Sequence, residues 1–159
     1  SARGSGMRVL VVEDDENTRV KIKQLLRDTF PAADLELRRS VQSGLTRILA
    51  GSLDLVLLDM TLPNYDTGPD EPGDTPQIFG GREILQQMDR FDLSVPVIVV
   101  TQFETFGKPP KELPRLDAEL QSEYPSFYCG SVYYHASLHE WKGQLKALID
   151  SALARSKEV

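Results

Sequence analysis

The 159-residue chain has a single cysteine, Cys129, so no disulfide can form within it, and this sparing use fits a reducing, cytoplasmic compartment. It has no apolar run near the roughly 20 residues needed to cross a bilayer, and no signal peptide. Basic clusters are missing as well. Eighteen Lys and Arg stand against 24 Asp and Glu, a formal net charge of −6, which suits poorly the neutralisation of nucleic-acid phosphates. Neither a membrane nor direct nucleic-acid contact is therefore expected. No internal repeat is present, and the length allows one domain with a substantial core. Residues 1–6 precede Met7 and read as an expression-tag remnant. The domain is expected over 7–156, with an inserted loop at about 64–80, an extended segment at about 102–126, and no output domain after the last helix.

What the chain does have is alternation of strand and helix patterns. Arg8–Val12, Leu53–Leu58 and Val95–Val100 are short runs rich in β-branched and aliphatic residues, as strands buried on both faces of a parallel sheet require. Leu35 and Leu37 alternate with charged residues and predict a strand near the sheet edge. Phe127–Tyr134 predicts the last strand. Between these lie helical stripes. Ile22, Leu25, Leu26 and Phe30 mark one, stopped by Pro31. Val41, Leu45, Ile48 and Leu49 mark another, capped by Ser40 and ended by Gly51. Ile84, Leu85 and Met88 mark a third, and Leu113, Leu116 and Leu120 a fourth. Trp141, Leu145, Leu148, Ile149 and Ala152 mark the last, with Ser137–Glu140 predicted as its capping box. The order βαβαβαβαβα predicts an α/β fold, a doubly wound five-stranded parallel sheet.

With strand order 2-1-3-4-5, ligands bind beyond the carboxyl ends of strands one and three. Strand one ends in Glu13-Asp14-Asp15, strand three in Asp59 and strand four in Thr101. Carboxylates gathered there raise one another's pKa unless a cation sits between them. Mg²⁺ (or Mn²⁺), held by one or two carboxylates, suits that role. An aspartate on such a metal can attack a phosphoryl group, and a threonine hydroxyl opposite can bond a phosphoryl oxygen.

The runs Val9–Asp15, Leu55–Pro63 and Pro96–Thr101 resemble the receiver domains of response regulators in two-component phosphorelays. The resemblance implies a flavodoxin-like (CheY-like) fold and a signalling domain rather than an enzyme. It implies that Glu13 and Asp14 form the acidic pair, with Asp14 touching Mg²⁺ directly. Asp59 would be the phosphoacceptor, the Met60 carbonyl a further metal ligand, and Thr101 the switch hydroxyl. A sensor histidine kinase or phosphotransfer protein would donate the phosphoryl group. A downstream protein, or a second copy in a homodimer, would read the last helix-strand-helix face. The chain departs from the family where the last strand should be followed by Lys-Pro. Here Tyr133-Tyr134-His135-Ala136-Ser137 stands instead, and His135 is the expected stand-in for the lysine, with a register slip of one or two residues left open. Lys108 and Lys111 are further candidates.

Other readings remain. The three acids also suit a helix start. The insert acids Asp66, Asp70, Glu71 and Asp74 could lid the site or line a surface loop. Two other functions compete: a receiver-like interaction module indifferent to phosphate, and a phosphatase of the haloacid-dehalogenase type. The latter lacks its Asp-x-Asp motif here.

Overall fold

The computed structural model describes residues 6–67 and 76–157. The elements run β1 (Arg8–Val12), α1 (Glu16–Thr29), β2 (Asp34–Arg38), α2 (Val41–Leu49), β3 (Leu55–Leu58), α3 (Gly80–Arg90) and β4 (Val97–Thr101). They continue with β5 (Thr105–Phe106), β6 (Lys111–Glu112), α4 (Leu113–Glu123), β7 (Tyr128–Tyr133) and α5 (Glu140–Lys157). Five strands form one parallel sheet in the order β2-β1-β3-β4-β7. This is the order expected from the sequence, with β7 as the fifth strand. The short β5 and β6 pair antiparallel as a separate ribbon inside the extended segment, for which the sequence predicted no strand.

The sheet is covered on both faces, and strand alternation sorts the side chains between them. Val9, Val11, Leu55, Leu57, Ile98, Val100 and Val132 pack with Ile22 and Leu26 of α1 and Trp141, Leu145 and Ile149 of α5. Leu10, Val12, Val56, Leu58, Val97 and Val99 face α2, α3 and α4. Because each central strand is buried on both sides, its sequence is apolar throughout rather than alternating. β2 lies at the edge, and its Leu35 and Leu37 are only half-buried.

α2 begins as predicted at Ser40, whose side chain accepts the Ser43 N–H at 3.1 Å while the Ser43 hydroxyl accepts the Ser40 N–H at 3.3 Å. Ser40 is fully buried, so this reciprocal cap cannot be replaced by water. Ser40→Ala is expected to lower stability by about 1 kcal/mol, seen as a lower urea midpoint at unchanged slope. An unchanged midpoint would show that the cap is dispensable. Gly51 follows the helix in the left-handed region, at φ 84°. Leu49, predicted to face the core, is exposed. The buried positions are Val41, Gly44 and Ile48, a stripe of spacing three and four on which Leu49 does not fall, with Gly44 set close against Val12.

The predicted capping box of the last helix does not form. The Ser137 hydroxyl pairs with His135 Nδ1 at 2.7 Å, and α5 starts only at Glu140. The root of the insert is pinned by the Leu62–Gln77 bridge and by the Val41 and Gln42 N–H groups, which donate to the Pro63 and Asn64 carbonyls. Its Asp66 accepts the Ser43 hydroxyl at 2.8 Å. Asp70, Glu71 and Asp74 lie outside the described residues.

Candidate functional site

Glu13, Asp59 and Thr101 meet at the carboxyl ends of β1, β3 and β4. Pairing of Val12 with Leu58, and of Leu58 with Val99, aligns these three ends at one rim. All three residues are buried: Glu13 and Asp59 are 3 % exposed and Thr101 fully enclosed. The Glu13 and Asp59 carboxyls share a hydrogen bond. Burial first, and then the Asp59 charge, raises the Glu13 pKa; burial also raises that of Asp59. The pair therefore retains a proton to higher pH than an isolated carboxyl would, with either residue as carrier.

Asp59 is oriented by its own turn. Its Oδ1 accepts the Met60 N–H at 2.7 Å and, weakly, the Thr61 N–H at 3.5 Å. This turn is held down by α3, whose Gly81 N–H donates to the Met60 carbonyl at 2.8 Å. The Thr101 hydroxyl oxygen accepts the Phe103 N–H at 3.2 Å, which leaves its own hydrogen available.

The three consecutive acids diverge. Glu13 turns inward. Asp15 caps α1, accepting the Thr18 N–H at 2.9 Å and the Thr18 hydroxyl at 2.7 Å, so the helix-start reading holds for this residue. Asp14, expected to be the direct metal ligand, points outward instead. It is half-exposed and ion-paired at 3.6 Å with Arg39, a residue that sequence reasoning did not single out. Among the described residues no group of three or more His, Cys, Asp or Glu side chains is gathered as a metal cage. The Met60 carbonyl, also expected as a ligand, is already engaged by the Gly81 N–H.

The donor set nonetheless fits a hard divalent cation. Two buried carboxylates in contact carry more negative charge than the pocket can leave uncompensated, and one or two carboxylates with water suffice for Mg²⁺.

His135, the expected stand-in for the missing lysine, lies at the surface. Its Nδ1 is bonded to Ser137, and its ring leans on Tyr133 with centroids 6.2 Å apart. Lys111 is committed to Glu119 at 2.7 Å, and Lys108 is exposed. Tyr134, within the register slip that the sequence left open, lies at the same rim, where its N–H donates to the Thr101 carbonyl at 2.7 Å. It is 3 % exposed and packs edge-on against Trp141 at 4.9 Å. Burial and then the charges of Asp15 and Glu13 raise the pKa of its phenol. The signal was in the period of two: Val132 and Tyr134 share the apolar face of the last strand, and His135 falls beyond it.

No protein-family model matches the chain. It is 37 % identical over 145 residues to the uncharacterized protein y4jR of Sinorhizobium fredii, covering 88 % of this chain and 95 % of that protein. It is 27 % identical to the Detocs response regulatory protein DtcB of Enterobacter cloacae, covering 87 % of this chain and 95 % of that one. The signal receiver domain of a LuxO repressor protein from Vibrio parahaemolyticus shares the fold at TM-score 0.66 and 19 % identity, with 95 % and 92 % of the two chains covered. The Mn²⁺-bound form of response regulator Rcp1 shares it at TM-score 0.62 and 17 % identity, with 89 % and 91 % covered. With this sheet order and these relatives, the chain belongs to the receiver domains of two-component response regulators.

Proposed function

We propose that the chain is a phosphoacceptor receiver in a two-component phosphorelay, phosphorylated on Asp59 with the help of Mg²⁺ or Mn²⁺. The observation that carries this is the buried Glu13–Asp59 pair at the rim of the sheet beside Thr101. The Asp59 Oδ1 atom is fixed by two backbone N–H groups, so Oδ2 is the atom left to attack. A new Oδ2–P bond forms as the bond from phosphorus to the donor breaks. The donor is a phosphohistidine imidazole on a kinase or phosphotransfer protein, and the leaving nitrogen keeps the electron pair. Glu13 and Asp59 would hold the cation, and Asp14 would join them on leaving Arg39. When bound, the cation offsets the charge that builds on the transferring oxygens.

The Thr101 hydroxyl is the switch. Its hydrogen turns to a phosphoryl oxygen, loosening its bond with the Phe103 N–H and shifting the start of the β4–α4 segment. The signal would leave through α4, β7 and α5, toward a downstream protein or a second copy. The domain would act in the cytoplasm as a signalling switch without turnover of a substrate.

Acetyl phosphate with Mg²⁺ should add one phosphoryl group to the wild type, seen by intact mass, and none to Asp59→Asn. Equal modification of both proteins would refute the assignment of Asp59. The competing reading, an interaction module indifferent to phosphate, is favoured by the absent lysine and by the added ribbon of β5 and β6. It requires partner binding to be the same for wild type and Asp59→Asn, with or without Mg²⁺.

A further inference from the structure

We propose that the Tyr134 hydroxyl donates a hydrogen bond to a phosphoryl oxygen on Asp59 and acts as the positioning residue at the place where the family has a lysine. The inference rests on the reading of Asp59 as phosphoacceptor.

A phosphoryl group on Asp59 brings three outer oxygens to a pocket walled by carboxylates. Charge on those oxygens needs donors, and few are on hand. The Met60 N–H is already used by Asp59 itself. Thr101 supplies one hydroxyl. His135 Nδ1 is bonded to Ser137, Lys111 is paired with Glu119, and Lys108 is exposed.

Tyr134 remains. Its N–H donates to the Thr101 carbonyl at 2.7 Å, which sets residue 134 beside the switch threonine at the same rim. The edge-on contact with Trp141, in the first turn of α5, fixes the ring plane. No hydrogen bond to the phenol oxygen is present among the described residues, and none of their buried side-chain oxygens or nitrogens lacks a partner. In a residue only 3 % exposed, the unbonded hydroxyl therefore reaches solvent, at the rim where the backbone of residue 134 meets Thr101.

A phenol differs from an ammonium in this place. It remains neutral, so it donates a bond without cancelling any of the charge brought by the phosphoryl group. That work falls to the cation alone.

The test uses beryllofluoride, a phosphoryl mimic, with Mg²⁺ on the full chain. Tyr134→Phe retains the ring on Trp141 and removes only the donor. It should weaken beryllofluoride binding about 10-fold or more, the usual worth of a hydrogen bond to a charged group. Affinity for Mg²⁺ alone should be unchanged, and the ¹⁹F resonance of one bound fluorine should move. Tyr134→Lys should restore or exceed wild-type binding, which a purely structural tyrosine would not predict. Binding by Tyr134→Phe within twofold of wild type, with the same ¹⁹F spectrum, overturns the inference and leaves Asp59 standing. Failure of the folded wild type to bind beryllofluoride at all brings down the Asp59 reading, and this inference with it.

Discussion

Gly81→Ala is expected to destabilise the protein by at least about 3 kcal/mol. The start of α3 lies against the end of β3 so tightly that a Cβ on residue 81 would overlap the Asp59 carbonyl oxygen. It would also stand 2.9 Å from the Met60 Cα and 3.2 Å from the Asp59 carbonyl carbon. All three are backbone atoms, so no change of rotamer makes room. Relief requires α3 to back away from the strand, and α3 carries Ile84, Leu85 and Met88, all fully buried. The same shift would break the Gly81–Met60 hydrogen bond and release the turn that aims Asp59. Urea unfolding measures the loss, and a midpoint within about 0.5 kcal/mol of wild type would show that the contact relaxes at little cost.

Asp59→Asn is expected to do the opposite in metal-free protein at pH 8, stabilising it by about 2 kcal/mol, or about 5 °C in Tm. Glu13 and Asp59 both have folded-state pKa values raised above the ordinary carboxylate range, Glu13 by burial first and the Asp59 charge next, Asp59 by burial against the lowering effect of its hydrogen bonds. For carboxyls raised in this way, the native state binds more protons than the unfolded chain. Their contribution to stability is fully present below the unfolded values, near about 4, and is lost as pH rises through the folded values. An asparagine carries no charge, retains an acceptor for the Met60 N–H, and offers its amide to Glu13. The gap between the two proteins should therefore be near zero at pH 4, widen through the mildly acidic range and level off above it. Mg²⁺ should narrow the gap by stabilising wild type more than the variant. A variant less stable than wild type at pH 8 without metal, or a gap independent of pH, would contradict the account of the pair.

Much of the architecture was legible because it depends on patterns that span whole elements. The apolar runs of β1, β3 and β4 could only be strands with both faces covered, and Ser40 and Gly51 bracketed α2 from sequence alone. The ribbon was illegible, since strands of two residues, Thr105–Phe106 and Lys111–Glu112, carry no period. Its stability comes from tertiary partners. Phe106 packs near Phe79, and Lys111 and Arg82 share Glu119.

In the site, Asp59 and Thr101 were legible because a strand end fixes where its last residue points. The acids after β1 were not. A chain turning from strand to helix sends each successive side chain in a different direction, and only coordinates separate the inward Glu13, the outward Asp14 and the capping Asp15. The end of the last strand was legible only in part: similarity of titrating side chains favoured His135, which is exposed, whereas Tyr134, just past β7, is buried in the same cluster as Val132.

Trp141 is the only tryptophan in the chain, and it is buried in T-shaped contact with Tyr134. The molecule thus contains its own optical reporter. The ultraviolet emission of one indole, packed on the residue whose backbone meets Thr101, follows the position of the neighbouring phenol without any attached dye. Stopped-flow mixing with metal or a small phosphodonor can time events in the pocket on the unmodified protein.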